Sequence, residues 1–196
     1  MAREKKSKSD KLFDRVLSDK ATRQVLVREQ LEYFFPIYFH RYMQYETADF
    51  HKEIFDILEN EAIKLAVICA FRGSAKSTII TTAYVLWSIL GVQQRKFIVI
   101  CGQTEQKARQ YLLNIKNELL NNDLLKKDLG PFTEETNHLG NATAIIIKKL
   151  NVKIMISSVE QSIRGMRHGE HRPDLIILDD IEDTNSVKTK EGRDKA

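Results

Sequence analysis

A short stretch at residues 70–78 combines small, hydroxyl-bearing and cationic residues in an order that suits phosphate binding. It follows the apolar run 65–69 and precedes the apolar run 79–90, which predicts a buried strand, a tight loop and a helix. Backbone N–H groups at the start of such a helix point at an anion, and the helix dipole favours negative charge there. Lys76 would reach the β- and γ-phosphates of a nucleotide, and Ser77 would place its hydroxyl on Mg²⁺.

This loop departs from the usual pattern, G-x-x-x-x-G-K-[ST]. Aligned on Lys76, it has Ala70 and Ala75 where the two glycines belong. We expect Ala75 to begin the helix, where alanine is sterically acceptable, and Gly73 to supply the position without a Cβ atom. Arg72 adds a cation whose planar fork suits phosphate oxygens. An ordinary capped helix N-terminus is the alternative. The predicted nucleotide-binding residues are Arg72, Gly73, Ser74, Ala75, Lys76, Ser77 and Thr78.

A second run, residues 174–180, ends in paired carboxylates. Four aliphatic residues precede Asp179 and Asp180, which is typical of a strand buried on both faces of a parallel sheet. Ligands of such sheets bind beyond the carboxyl ends of the strands. The two predicted strands would therefore bring Lys76 and Ser77 to the same edge as the carboxylates. Asp179 would hold Mg²⁺, and Asp180 would orient or deprotonate the attacking water.

Glu182 is the alternative to Asp180 as the catalytic carboxylate. Many enzymes that combine such a phosphate-binding loop with a strand-terminal carboxylate pair have glutamate at the position of Asp180. Aspartate is one methylene shorter. Glu182 would share a strand face with Asp180 if the strand continues. The loop or the carboxylate run alone would also suit a core element with a polar end, but the two together favour a nucleotide site.

The segment 161–173 lies before the carboxylate run and contains three arginines, two histidines and two glycines. One arginine, with Arg164 as the candidate, would stabilise charge on the γ-phosphate in the transition state, in this subunit or in a neighbour's site. A solvent loop or a contact with the DNA backbone is an equally weighted alternative. His168 and His171 are too loosely arranged for a metal site, and we expect them at the surface.

Composition is typical of one globular domain of 196 residues, with 42% apolar and 30% charged residues. No apolar stretch has the length of a membrane span, and the lysine-rich start lacks the apolar core of a secretory signal. Cys69 and Cys101 each end a predicted buried strand, which indicates core residues in a reducing compartment. These features predict a cytoplasmic protein without membrane contact. The net charge of +4 permits nucleic-acid binding without demonstrating it.

Three regions divide the chain: a basic tail predicted to be disordered (1–20), a helical segment (21–62) and an α/β core (63–196). Aromatic residues between positions 33 and 45 recur at helical spacing, which favours a helix face packed in a core; a cover over a nucleotide base is the alternative. We expect a break in this region near Pro36. Thr47 or Asp49 is expected to cap a helix at 49–62.

The core region alternates strand and helix signals. Residues 96–102 predict a buried strand, and Thr104 is expected to cap a helix that runs to about Asn121. Such alternation predicts a parallel sheet with right-handed connections. Residues 122–142 are predicted to be a loop. A hairpin is predicted from residues 143–149 and 152–157.

Taken in order, these motifs resemble the ATPase region of the large terminase subunit of tailed bacteriophages, which packages DNA into proheads. The resemblance covers about residues 30–190. An upstream segment, DFHKEI (49–54), is similar to the part that reads adenine, with His51 where the family often has Gln. The matching pieces are RGSAKST (72–78), similar to the family's Walker A loop with its arginine; IRGMR (163–167) with RPD (172–174); and LIILDDIED (175–183), similar to Walker B.

The resemblance implies a P-loop NTPase of the additional-strand class, with a central, mostly parallel sheet flanked by helices and an N-terminal helical segment. It implies ATP and Mg²⁺ as ligands, and double-stranded DNA, a portal protein and a small terminase subunit as partners of a homo-oligomeric ring. The family's coupling motif and nuclease domain have no counterpart here, so we expect an amino-terminal piece. A helicase-like DNA-dependent ATPase and a nucleotide-binding or assembly fragment without turnover are the alternatives.

Overall fold

A mixed sheet of four strands forms the centre of the molecule, in the spatial order β2-β3-β1-β4. The computed structural model describes residues 18–43, 45–132, 143–158, 161 and 163–181. β1 pairs in parallel with β3 and β4, whereas β2 pairs antiparallel with β3. The predicted α/β class is therefore confirmed. The strands are β1 (Phe97–Gly102), β2 (Ala144–Ile147), β3 (Val152–Ser158) and β4 (Leu175–Asp179).

The central strand, β1, is buried along its whole length, as its apolar run predicts. Its register with β4 places Gly102 beside Asp179. Asp174 fixes this register at the other end, because its carboxylate accepts the backbone N–H groups of Lys96 and Phe97 at 2.7 and 3.1 Å. The acid of the segment 172–174 therefore has a structural task, which is to align the strand that carries Asp179.

The predicted hairpin is present as β2 and β3. A 3₁₀ turn, Lys148–Leu150, joins the two strands. Asn151 closes it with φ +51°, a left-handed conformation that asparagine tolerates better than most residues.

Helices flank the sheet and supply most of its core. Two of them, a π-helical segment and the α-helix that continues it, follow the 70–78 loop. The predicted helix from Thr104 to Asn121 is confirmed, with the Thr104 side chain accepting the N–H of Lys107 at 3.2 Å. The helices are α1 (Lys20–Glu29), α2 (Leu31–Phe39), α3 (Asp49–Glu59), the π-helical segment Thr78–Tyr84, α4 (Val85–Leu90), α5 (Glu105–Asn121) and α6 (Asp123–Leu129).

The break in the N-terminal helices lies at Gln30, so the prediction of a break near Pro36 was wrong. Pro36 lies inside α2. Gln30 is extended, and the side chain of Glu59 accepts the N–H groups of Leu31 and Glu32. A carboxylate from α3 thus satisfies the free donors at the start of α2, which allows the chain to break there.

Aromatic residues of α2 pack in the main core, as their spacing predicts. Phe34, Phe35, Tyr38 and Phe39 are buried, and the stacked rings of Phe35 and Phe39 have their centroids 5.8 Å apart. The alternative of a cover over a nucleotide base has no support in the structure for these four residues, since each is enclosed by protein.

A buried charged pair links the helical segment to the rest of the core. Arg23 of α1 donates two hydrogen bonds to Asp128 of α6, at 2.6 and 2.7 Å, and Tyr38 donates a third at 3.1 Å. Arg23 and Asp128 are both buried. The three hydrogen bonds compensate the cost of removing this carboxylate from water.

The predicted strand at 65–69 is wrong. These residues form neither helix nor strand, Leu65 and Val67 are 86% and 83% exposed, and Cys69 is exposed rather than buried. The prediction that β4 is buried on both faces is also wrong, because Ile176 and Leu178 are 44% and 58% exposed. Among the described residues β4 pairs only with β1, so its other edge has no described partner. Residues 65–69 pair with no described strand.

Two smaller predictions fail at helix ends. Neither Thr47 nor Asp49 is the N-cap of α3: Ala48 holds that position, and the helix ends at Glu59. Part of the predicted loop 122–142 is α6, which Asn122 caps by accepting the N–H of Leu125 at 3.1 Å. Residues 133–142, the first 17 residues of the tail and residues from 182 onward lie outside the described residues. No helix in the described part is both long and apolar enough to cross a bilayer.

Candidate functional site

The 70–78 loop and the end of β4 enclose one cavity of about 680 Å³. The structure thus brings together the cations and the carboxylates that the sequence placed at a common edge. Residues 65–69 need not be a strand for the loop to reach this edge. The π-helical segment that follows the loop contacts β4 and so positions the loop beside the end of that strand. The cavity is lined by Ala70, Phe71, Arg72, Gly73, Ser74, Ala75, Lys76, Ser77, Thr78, Asp179 and Asp180.

The loop turns through two left-handed residues. Gly73 has φ +87°, as expected for the position that lacks a Cβ atom. Ala75 has φ +59° and lies just before the helix, so the prediction that it begins the helix was wrong. The left-handed backbone explains why the usual pattern has glycine before the lysine, and alanine at this position is strained.

We expect Ala75→Gly to raise the free energy of unfolding by about 0.5–1 kcal/mol, because the relief of left-handed strain exceeds the entropy that glycine adds to the unfolded chain. Chemical denaturation measures this change. Ala70→Gly is the matched control, since Ala70 has no positive φ, and it should lower the free energy by a similar amount. Equal destabilisation by both variants would show that Ala75 is not strained.

The helix after the loop fixes the backbone of Ser77. The Thr81 hydroxyl donates to the Ser77 carbonyl at 2.7 Å, and the N–H of Ile79 bonds to the carbonyl of Ala75 at 2.9 Å. Thr81 is buried, whereas Ser77 is exposed to the cavity. Ser77 therefore lies at the start of this helix and lines the cavity, where a ligand can reach its hydroxyl.

Two cations face the cavity from the loop. Lys76 is half-buried and Arg72 is exposed, and both line the cavity wall. Neither forms an ion pair within 4 Å with any residue that the structure describes. Cations held without a protein counter-ion beside backbone N–H groups favour the binding of an anion such as phosphate.

Asp179 supplies the acceptor group on the opposite wall. It is 9% exposed, and its Oδ2 is buried without a hydrogen-bond partner among the described residues. Such an oxygen is costly unless a ligand occupies it. A carboxylate and the nearby hydroxyl of Ser77 are hard oxygen ligands, which suit Mg²⁺. The residues present therefore fit this metal ion.

Tyr111 of α5 interacts with the Asp179 carboxylate. Burial, followed by the negative charge of Asp179, raises the pKa of Tyr111. The phenol therefore stays protonated at neutral pH and can donate a hydrogen bond to the carboxylate. Sequence reasoning did not identify this residue, because a tyrosine inside an amphipathic helix carries no distinctive signal.

Asp180 lies just beyond β4 with φ +54°. Its carboxylate accepts a hydrogen bond from Lys107 Nζ at 2.7 Å, and its side chain is 71% exposed. The hydrogen bond and charge of Lys107, with a smaller effect of Lys76, lower the pKa of Asp180. The carboxylate is ionised at neutral pH and is a weak base, which favours the role of orienting water over that of removing its proton completely.

His51 of α3 bonds directly to the loop. Its Nδ1 accepts the N–H of Ala48 at 3.1 Å, so in the neutral ring the hydrogen is on Nε2, which donates to the Ser74 carbonyl at 2.9 Å. The adjacent Phe50 packs edge-on against Phe71, with the ring centroids 5.4 Å apart. His51 therefore stabilises the loop through the Ser74 carbonyl, and it does not line the described cavity.

The remaining predicted residues are not assembled with this cavity. Arg164 lies between Ile163 and Met166, which pack on the face of β1, and it does not line the cavity. Glu182 lies outside the described residues. His168 and His171 exchange two backbone hydrogen bonds in a small bridge. Within the described residues no group of three or more histidine, cysteine and acidic side chains is arranged to hold a metal ion.

Lys107 is a second residue that sequence reasoning missed. It lies in the first turn of α5, immediately after Thr104 and the end of β1. A lysine at this position is one of many in the chain, and only the register of β1 with β4 shows that it reaches Asp180.

The chain matches no protein-family model and no curated protein.

Proposed function

We propose that this chain binds a nucleoside triphosphate with Mg²⁺ and hydrolyses its terminal phosphate bond. The observation that supports the proposal is one cavity lined by a hydroxyl, two carboxylates and a lysine that has no ion pair with a described residue. Lys76 and the loop N–H groups would hold the phosphates. Ser77 and Asp179 would hold the metal ion, which, when bound, would neutralise charge on the phosphate oxygens.

Asp180 has the chemistry to position the attacking water. It is ionised, it lies beside the predicted metal ligand Asp179, and its exposed carboxylate can accept a hydrogen bond from water. Arg72 lines the same cavity and can donate to phosphate oxygens on which charge develops. In this proposal Arg164 acts on a neighbouring subunit's site, since it does not line the cavity of its own chain.

We further propose that the nucleoside is adenosine and that the chain is the motor part of a DNA-packaging terminase. The linked motifs 72–78, 163–174 and 175–183 support this more specific proposal, as does the basic charge of the chain. A ring of such subunits in the host cytoplasm would couple hydrolysis to the movement of double-stranded DNA, with the portal and the small subunit as partners.

Steady-state hydrolysis of ATP, measured with and without double-stranded DNA, tests this proposal. We expect Mg²⁺-dependent turnover that DNA increases. EDTA is the control for the metal, and a single-stranded oligonucleotide of equal length is the control for DNA. Turnover driven equally well by single-stranded DNA would favour a helicase-like ATPase.

A nucleotide-binding or assembly fragment is the second candidate. The outer edge of β4 has no strand partner among the described residues, and Leu65 and Val67 are exposed. Both observations favour this candidate, since a sheet with an open edge can be completed by further chain. Tight binding of Mg·ATP without hydrolysis would support this candidate. Failure of the wild-type chain to bind ATP under any condition would contradict both.

A further inference from the structure

Two lysines at the site have different electrostatic partners. Lys107 pairs with Asp180 at 2.7 Å, whereas Lys76 lines the cavity without an ion pair to a described residue. We propose that Lys107 is a positioning residue, which holds the Asp180 carboxylate away from Lys76 and leaves the Lys76 ammonium available to phosphate oxygens. This inference rests on the proposed function and concerns the same site.

Asp180 would otherwise be the natural partner of Lys76. Both side chains line the same cavity, and opposite charges attract more strongly in a partly enclosed space than in water. Asp180 is 71% exposed, and among the described residues only Lys107 donates a hydrogen bond to its carboxylate. Without Lys107, the carboxylate would be free to move toward Lys76 and compete with an incoming phosphate.

The fold delivers Lys107 to this point through the junction of β1 and α5. Gly102 ends β1 beside Asp179, and Thr104 caps α5 by accepting the N–H of Lys107. A Cβ atom on Gly102 would lie 3.1 Å from the backbone N of Ala108. The absence of a side chain at Gly102 therefore lets the start of α5 lie close to the end of β1. Because β4 ends beside Gly102, Lys107 comes within reach of Asp180.

Competing charges near Lys107 are already paired. Glu105 is the acidic residue in the first turn of α5, and it accepts from Arg109 one turn later at 2.6 Å. This leaves Lys107 free to interact with Asp180. Tyr111, one turn further along α5, interacts with Asp179. One helix thus contributes a donor to each of the two carboxylates.

The affinity for Mg·ATP measures this role, because the competition affects binding before any chemistry occurs. Exposed ion pairs are weak, so we expect Lys107→Met to raise the dissociation constant about fivefold. Lys107→Arg keeps the charge and should remain near wild type. Circular dichroism confirms that each variant is folded, and Lys107→Gln replaces the methionine variant if that variant does not fold.

The double variant Lys107→Met/Asp180→Asn gives the decisive comparison. Asparagine removes the competing charge, so the loss of Lys107 should no longer weaken binding, and the double variant should bind Mg·ATP as Asp180→Asn alone does. A purely structural role for Lys107 would instead weaken binding by the same factor in both backgrounds.

The outcomes separate this inference from the proposed function. If wild type binds Mg·ATP and Lys107→Met binds it equally well, the inference is wrong and the proposed function stands. If Lys107→Met weakens Mg·ATP binding by the same factor in the Asp180→Asn background as in wild type, the inference is also wrong. If wild type does not bind Mg·ATP, both fall together.

Discussion

Replacing Lys76 with alanine is expected to lower ATP turnover about 10²–10³-fold, the usual effect of removing one donor that stabilises transition-state charge. Lys76 lines the cavity and has no ion pair with a described residue. Its loss therefore removes one of the two loop cations that line the cavity and leaves only Arg72 on the loop to offset phosphate charge. Nucleotide affinity should fall as well, because the lysine would contact the bound phosphates in the ground state.

Lys64→Ala is the matched control for this change. Lys64 is exposed, donates to the Glu61 carbonyl at 2.7 Å and does not line the cavity. Lys64→Ala removes the same charge from a position 12 residues earlier in the sequence, and we expect its ATP turnover to be close to that of wild type. If Lys76→Ala and Lys64→Ala had equal rates, the cavity would not be the site of hydrolysis.

Asp180→Asn is expected to lower turnover about 10²–10⁴-fold, within the range for loss of a group that acts on the nucleophile's proton or orientation. Mg·ATP affinity should stay within a few-fold of wild type, because the phosphates and the metal are assigned to other residues. Turnover and equilibrium binding must therefore be measured on the same preparation. Loss of binding in parallel with turnover would place Asp180 in nucleotide binding instead.

One further substitution, with a control, identifies which carboxylate acts on the attacking water. Glu182→Gln tests the alternative assignment, and a large loss of turnover there, with Asp180→Asn active, would transfer the role to Glu182. Asp123→Asn removes a charge from an exposed side chain that pairs with Lys126. It is the control for the general effect of net charge, and we expect it to leave turnover unchanged.

Several elements of this fold can be predicted from the sequence because local residue patterns determine them. The apolar run of β1, the Thr104 cap and the hairpin turn at Asn151 each depend on local residues. The aromatic face of α2 likewise follows from helical spacing. These predictions are confirmed because the local preference and the tertiary environment agree.

Residues 65–69 and β4 show where sequence reasoning fails. An apolar run predicts a buried strand only if a neighbour covers it, and composition does not say whether that neighbour exists. Leu178 is exposed although β4 pairs with β1, because no described element covers that face of the strand, and Leu65 belongs to no described strand. Burial on both faces is a property of the sheet and not of the run.

The site was predicted in part for a similar reason. Lys76 and Asp179 were identified because phosphate-binding loops and strand-terminal carboxylates have local patterns, and the structure places them around one cavity. Lys107 and Tyr111 were missed because only the tertiary fold, which packs α5 against β1 and β3, brings them beside Asp180 and Asp179. The left-handed backbone of Ala75 was missed because alanine gives no sign of positive φ.

A crystal structure with Mg²⁺ and a non-hydrolysable ATP analogue would show whether the cavity binds the nucleotide. We expect phosphate density beside the Lys76 ammonium, with the metal ion coordinated by Ser77 and by the buried Oδ2 of Asp179. Nucleotide bound elsewhere on the molecule, or phosphates in the cavity with no metal near Asp179, would contradict this prediction.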